Sequence, residues 1–353
     1  MFSFHQEIID EYSLTITKHK MKKENQILMK NLLELFPRNI TEALEIAANN
    51  PLKNSYPTFK NILICGLGGS GIGGKLVANW FKNELTIPID LCQDYDIPNY
   101  VNNQTLVIAC SYSGNTEETL SAVEQSHKKE ASIIAVTSGG KLENYCKKFN
   151  YEYILVPGGN PPRTQLAFSI VQLTHVLSCL RLIQPKVLED FKQSAELLIK
   201  EKSSIHAQAK KIAQFILNKD LIIYTQSKDE AIAIRARQQF NENAKILCSH
   251  HIIPEMNHNE IVGWAGGKST HAVIFIHTSC THMQNQKRFD FSKEVVQTKT
   301  DSVFNLTSAK NSTLEESLYL INIIDWASLY LSESMGVDPV EVRIIDKLKS
   351  SLN

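Results

Sequence analysis

Ser111, Ser113, Asn115 and Thr116 crowd into one short stretch, SYSGNT, between the apolar run TLVIAC and the helical pattern TEETLSAVEQSHKKE. A helix N-terminus presents unpaired N–H groups and the positive end of the helix dipole. Hydroxyls beside those amides make a neutral cradle suited to a dianionic monophosphate. Asn115 and Glu118 are spaced to form a capping pair at that helix start. A cap needs one such side chain, and this loop has more than a cap requires. Upstream, the run NILI (61–64) leads into CGLGGSGIGG, Cys65 to Gly74, a second strand–loop–helix junction. Gly66, Gly68 and Gly71 fit GxGxxG, and Asp90 and Asp94 follow roughly 20 residues on, so a dinucleotide site competes for this loop. The hydroxyl-rich junction argues against it, because a dinucleotide fold has no use for a second anion cradle. Loops at the carboxyl ends of adjacent parallel strands open on one edge. Gly69, Ser70, Ser111, Ser113 and Thr116 are therefore candidates to hold one phosphate.

Four further residues carry candidate chemistry. Arg163 follows a Pro-Pro turn in PGGNPPRTQLAFS and precedes a helical pattern. It is either a solvated helix-start arginine or a fixed cation able to stabilise an anionic oxygen. Glu242 lies near the end of the helical ARQQFNENAK, His258 in the polar run MNHNE, and Lys349 in the C-terminal DKLKSSLN. Taken alone, these three read as solvated helix, loop and tail residues. His250, His251, Glu255, His258 and Glu260 crowd into HHIIPEMNHNE, but their spacing is neither HExxH nor another ligand pattern, so no metal is expected.

GLGGSGIGG and SYSGNTEET together resemble the sugar isomerase (SIS) domain family. Within it, PPR, NENAK, HNE and the ending DPVEVRIIDKLKSSLN resemble the bifunctional phosphoglucose/phosphomannose isomerases, over about residues 60–353. The chain departs at Thr164, Gln165 and Ala167, where smaller residues are expected. The resemblance implies a hexose 6-phosphate substrate, glucose and mannose 6-phosphates alike, interconverted with fructose 6-phosphate through a cis-enediolate without a cofactor. It implies Glu242 as the general base, Arg163 as the enediolate stabiliser, His258 as the ring-opening residue and Lys349 as the active-site lysine. It also implies a homodimer in which the ring-opening histidine reaches the site from the neighbouring subunit. A non-catalytic SIS module that senses sugar phosphate would keep the loops but has no need of these four residues together. A glutamine-dependent hexosamine synthase would need an N-terminal cysteine nucleophile where this chain has Phe2.

The elements that position these residues follow from the apolar pattern. NILICG, IPIDLC, TLVIACS, SIIAVTS and YEYILVP read as strands, and helical stretches alternate with them. LIIYTQ, AKILCS, HAVIFIHTS and SVFNLTS read as strands of a second unit. Alternating β and α predicts an α/β fold of two tandem SIS-type domains, each a mainly parallel sheet flanked by helices. The expected organisation is a helical segment at 1–54, a phosphate-binding domain at 55–185, a charged helical connector at 186–215 and a second domain at 216–353. TQLAFSIVQLTHVLSCLRLI and LEESLYLINIIDWASLYLSES carry more apolar surface than one small domain easily covers, which points to a two-fold dimer.

At 353 residues and 43% hydrophobic content the chain can bury two cores. Lys plus Arg and Asp plus Glu are both 37, so bulk charge favours neither a nucleic acid nor a membrane surface as partner. The start, MFSFHQEIID, lacks a signal-peptide pattern, and no apolar run reaches a membrane span. Seven scattered cysteines read as reduced core thiols of a cytoplasmic protein.

Overall fold

The computed structural model describes residues 21–352. Helix α1 runs through 21–34 and α2 spans Phe36–Asn49, with Pro37 in the first turn of α2. The part of the expected N-terminal helical segment before residue 21 lies outside the described residues.

The first sheet comprises β1 (Asn61–Cys65), β2 (Ile89–Cys92), β3 (Thr105–Ser111), β4 (Ser132–Thr137) and β5 (Glu152–Leu155). Between its strands lie α3 (Gly68–Phe81), α4 (Glu117–Lys128) and α5 (Gly140–Phe149). All pairings are parallel, in the order β2-β1-β3-β4-β5. Three helices follow: α6 (Leu166–Cys179), α7 (Val187–Lys200) and α8 (Lys202–Ile216). The second sheet holds β6 (Asp220–Gln226), β7 (Cys248–Ile253), β8 (His271–Thr278) and β9 (Val303–Ser308), parallel in the order β7-β6-β8-β9. Its helices are α9 (Glu230–Ala244), the short α10 (Glu260–Gly263), α11 (Met283–Gln297), α12 (Thr313–Met335) and α13 (Arg343–Leu352).

Each sheet reverses its strand order beside its first strand, between β1 and β3 and between β6 and β8. Such switch points open a crevice at the carboxyl ends of the strands, where ligands bind. Strand alternation sorts the core into layers. Ile62, Ile64, Leu106 and Ile108 face a central helical layer, which also covers Leu221, Ile223, Ile274 and Ile276 of the second sheet. Leu63, Val107 and Ala109 point the other way, onto α4 and α5. Val273 and Phe275 likewise meet α11.

Two sequence expectations change here. The strand expected at AKILCS begins later, at Cys248, and runs through His250 and His251 to Ile253. Lys245 adopts a left-handed conformation that ends α9, and parallel pairing of Leu221 with Cys248 sets the register. The apolar helices taken as a dimer face are instead covered within the chain. Helix α6 is buried almost throughout, and α12 packs on α7, α8 and α9. The connector helices α7 and α8 bury Phe191, Leu198, Ile205 and Ile212 in the same layer, so α12 lacks a free face.

Candidate active site

Arg163 sits in a 3-10 turn, Pro162–Thr164, and is 5% exposed. Its Nη1 lies 3.3 Å from Glu242 Oε2. Nε donates to Asn243 Oδ1 at 2.8 Å, and Nη2 donates to the carbonyls of Pro339 and Val340. Burial, reinforced by the charge of Arg235, lowers the proton affinity of the guanidinium, and Glu242 opposes the shift. The cation therefore arrives almost dry and oriented by several acceptors, a condition under which a fixed charge acts strongly on an anion. The Glu242 side chain keeps 31% of its exposure, so its carboxylate faces both the arginine and solvent.

Helix α9 ends two residues beyond Glu242, at Ala244. Lys245 donates to the carbonyls of Glu242 and Asp338, tying the helix end to the Asp338–Pro339 turn. Burial lowers the pKa of this lysine. Asp338 Oδ1 accepts from the Val340 and Glu341 amides, which fixes the turn whose carbonyls hold Arg163.

The phosphate candidates meet at the β1–β3 switch point. Ser70, in the first turn of α3, accepts at Oγ from the Tyr112 amide at 3.1 Å, linking the two loops. Ser111 Oγ lies 2.8 Å from Thr116 Oγ1, and Ser113 Oγ accepts from the Asn115 amide. Ser111 is buried, Thr116 half-buried and Ser113 exposed. Gly114 has φ +67°, and a Cβ there would stand 1.7 Å from the Gly139 carbonyl oxygen, so only glycine lets the β3 and β4 loops pack together. Gly69 is constrained less severely: a Cβ would come within 2.9 Å of the Pro162 carbonyl oxygen. That contact seats the glycine-rich loop directly against the turn bearing Arg163. Gly69, Ser70, Tyr112, Pro162, Gln165 and Phe168 line a small pocket there.

The expected Asn115–Glu118 capping pair does not form. The Asn115 side chain donates to the Ser113 carbonyl and accepts from the Lys141 amide, so it ties the β3 loop to α5 instead. The acids of the dinucleotide pattern are already engaged: Asp90 accepts from the Tyr100 hydroxyl at 2.6 Å and Asp94 from the Tyr95 amide.

His258 and Lys349 lie on other elements of the second half. His258 is exposed at the end of the 3-10 turn Glu255–His258, beyond edge strand β7. Lys349 lies on α13, an exposed helix. No described contact joins His258 to Glu242. In the same region His251 Nδ1 pairs with Glu260 at 2.9 Å, and His250 lies 3.8 Å from Glu230. Among the described residues no group of three or more His, Cys, Asp or Glu is placed to hold a metal. No described helix is long and apolar enough to cross a membrane. All seven cysteines are free; Cys179 and Cys280 are exposed, so the thiols are not all in the core.

Several functional neighbours escaped the sequence reading. Asn243, Arg235 and Asp325 are buried around Arg163, and their signal was helical spacing: Arg235, Gln239, Glu242 and Asn243 recur on one face of α9. Ser138 donates to the Tyr112 carbonyl at 2.6 Å, and Thr137 donates to the Gly139 carbonyl. VTSGGK repeats, at the β4 junction, the hydroxyl–glycine pattern used to find the β3 loop.

Known proteins resemble this chain along most of its length. Residues 58–150 match the SIS domain, and residues 205–352 match the bacterial phospho-glucose isomerase C-terminal SIS domain. A bifunctional phosphoglucose/phosphomannose isomerase from Caldicellulosiruptor bescii is 36% identical over 329 residues, covering 90% of this chain and 96% of its own length. One from Aquifex aeolicus is 33% identical, covering 83% and 91%. A D-glucosamine-6-phosphate 4-epimerase from Sulfolobus acidocaldarius is 29% identical, covering 83% and 89%. Among solved structures, tagatose-6-phosphate ketose/aldose isomerase from Escherichia coli superimposes with TM-score 0.68 at 18% identity, over 88% of this chain and 94% of its own, which shows the shared fold. By identity and coverage, the chain belongs to the bifunctional phosphoglucose/phosphomannose isomerase family of SIS-domain enzymes.

Proposed function

We propose that this chain interconverts glucose 6-phosphate and mannose 6-phosphate with fructose 6-phosphate. The phosphate sits on the β1 and β3 loops, with Gly69, Ser70, Ser111, Ser113 and Thr116 around it. That anchor holds the sugar by the end remote from the reacting carbons, and orients C1 and C2. His258, helped by Lys349, opens the ring by moving a proton between the ring oxygen and the anomeric hydroxyl. Glu242 takes the proton from C2 of the aldose and returns it to C1. Arg163 stabilises the enediolate oxygen formed between the two steps. Glucose and mannose 6-phosphates differ only at C2 and share one enediol, so a single base serves both. The steps are proton transfers, and chelators should leave the rate unchanged.

The observation that carries the reading is the Arg163–Glu242 contact at 3.3 Å on a turn packed against the glycine-rich loop. It supports reading Glu242 and Arg163 as base and cation beside the phosphate candidates. A purely sensory module has no need of a dry arginine next to a half-open carboxylate, and the relatives that cover most of the chain are enzymes.

The protein acts as a homodimer in this reading, and His258 serves the partner's Glu242. Its exposure, and the exposed Val262, Leu247, Ile344 and Leu348, support that assembly. Seven unpaired thiols suit a cytoplasmic location. The decisive assay supplies glucose, mannose or glucosamine 6-phosphate to the purified protein without nucleotide and follows the product. Fructose 6-phosphate from the first two is expected. A C4 epimer of the third, with no ketose from the others, would replace the reading with an epimerase.

A further inference from the structure

Arg163 is gripped at two points by one helix. At its side chain, Glu242 and Asn243 of α9 hold the guanidinium. At its backbone, Arg235 of the same helix donates from Nη2 to the Arg163 carbonyl at 2.6 Å. The residues lie two turns apart on one face of α9, so the helix sets the spacing between the two grips.

Behind this stands a second tier on α12. Asp325 accepts from Arg235 at Nε and Nη2, at 3.1 and 2.8 Å, and from Gln239 at 2.8 Å. Ser328, three residues on, accepts from Asn243 Nδ2 at 2.9 Å. Arg235 and Asp325 are each 2% exposed. A buried ion pair contributes little net stability, because desolvation offsets the attraction, and apolar residues of similar volume commonly hold a fold as well or better. Stability is thus a weak reason for this pair to be there. Its geometry offers a stronger one: it fixes the backbone of the residue that carries the cation.

We infer that Arg235 and Asp325 are positioning residues for Arg163. They clamp the Pro162–Thr164 turn of the first half against α9 of the second, so that the guanidinium meets the reacting oxygens at a set distance from Glu242. This rests on the role proposed above for Arg163.

The test replaces the pair by Arg235→Met with Asp325→Leu. Thermal stability should stay close to wild type, the apolar packing offsetting the lost partners of Gln239 and of the Arg163 carbonyl. The kcat should fall about 10- to 100-fold, as displacements on the order of 1 Å produce, while KM for fructose 6-phosphate stays within about twofold. In an Arg163→Ala background the same double substitution should cost no further activity, because the pair acts through Arg163. General loosening of the fold would add its loss in that background too. A folded double variant with kcat near wild type, or additive losses with Arg163→Ala, overturns the inference. Should the double variant not fold, Arg235→Lys decides: it keeps the charge opposite Asp325 but loses the planar fork. Lower kcat at unchanged KM supports the clamp, and unchanged kcat overturns it. An unimpaired Arg163→Ala would remove the proposed role of Arg163 and the inference with it. An impaired Arg163→Ala beside an unimpaired pair variant removes the inference alone.

Discussion

In the first half of the molecule β3 ends at Ser111, and the loop beyond it leaves Ser113 exposed and Thr116 half-buried at the switch point. In the second half β8 occupies the same place in its sheet and ends at Thr278. There the amide and hydroxyl of Thr278 both donate to Asp229, and the next amide, Ser279, donates to Glu316. Gln226 adds a donor to Asp229 at 2.7 Å. Two loops in equivalent topological positions thus treat negative charge differently. One leaves hydroxyls at its rim, and the other fills its donors with the chain's own carboxylates. Asp229 precedes α9 but does not cap it; its carboxylate crosses to the β8 loop. A strand-end loop beside a helix start attracts an anion whichever half it belongs to. With that need met internally, the proposed division of labour puts the base on α9 of the second half and the anchor in the first.

The largest effect should come from the base. Glu242→Gln should lower kcat by about 10²–10⁴ while binding of a hexose 6-phosphate survives. Mixing this variant with His258→Ala should restore up to about half the wild-type activity per heterodimer, because one of the two shared sites then has both groups intact. Heterodimers that form and stay inactive would place both residues within one chain. Activity near wild type in Glu242→Gln would rule out Glu242 as the base.

Next in size is the anchor. Ser113→Ala with Thr116→Ala should raise KM for the phosphorylated sugar about 10- to 100-fold, the worth of one or two hydrogen bonds to a charged group. An unchanged KM would move the phosphate away from the β3 loop. Asp229→Asn probes the filled loop. It should cost about 1–3 kcal/mol of stability, through a buried donor left without its acceptor, and leave KM nearly unchanged. A raised KM without loss of stability would show that the β8 loop takes part in binding, and the contrast between the halves would fail.

The smallest effect is a pH dependence confined to the second half. Burial pushes the pKa of His277 down, while its bond to the Thr278 carbonyl and the charges of Asp229 and Asp290 oppose the shift. The folded state therefore holds this proton less tightly than the unfolded chain does. Its contribution is constant above the ordinary histidine value of about 6.5 and is lost as the pH falls below it. Urea unfolding between roughly pH 7 and 5 should show a shallower acid slope in His277→Asn. Equal slopes would assign the acid sensitivity to other groups.

Much of this was legible in the chain itself. The alternation of apolar runs and helical stretches specified two parallel sheets, since side-chain periodicity is a local property. SYSGNT and the glycine-rich stretch marked the candidate anion loops for the same reason: amides, hydroxyls and a helix start lie within a few residues. Arg163, Glu242, His258 and Lys349 were singled out as candidates by the resemblance of short motifs to one enzyme family. What covers an apolar helix is not local. The stripe on α12 called for a partner, and tertiary packing supplied it from α7, α8 and α9 of the same chain. The distance between Arg163 and Glu242, 79 residues apart in sequence, was also beyond local reading. So was the choice of Asp229 as the anion of the β8 loop, 49 residues from its partner. Periodicity says which face of an element is apolar, but it does not say which other element arrives there. That is decided when the helices of both halves pack into one layer and buried charges must find the partners the layer brings within reach.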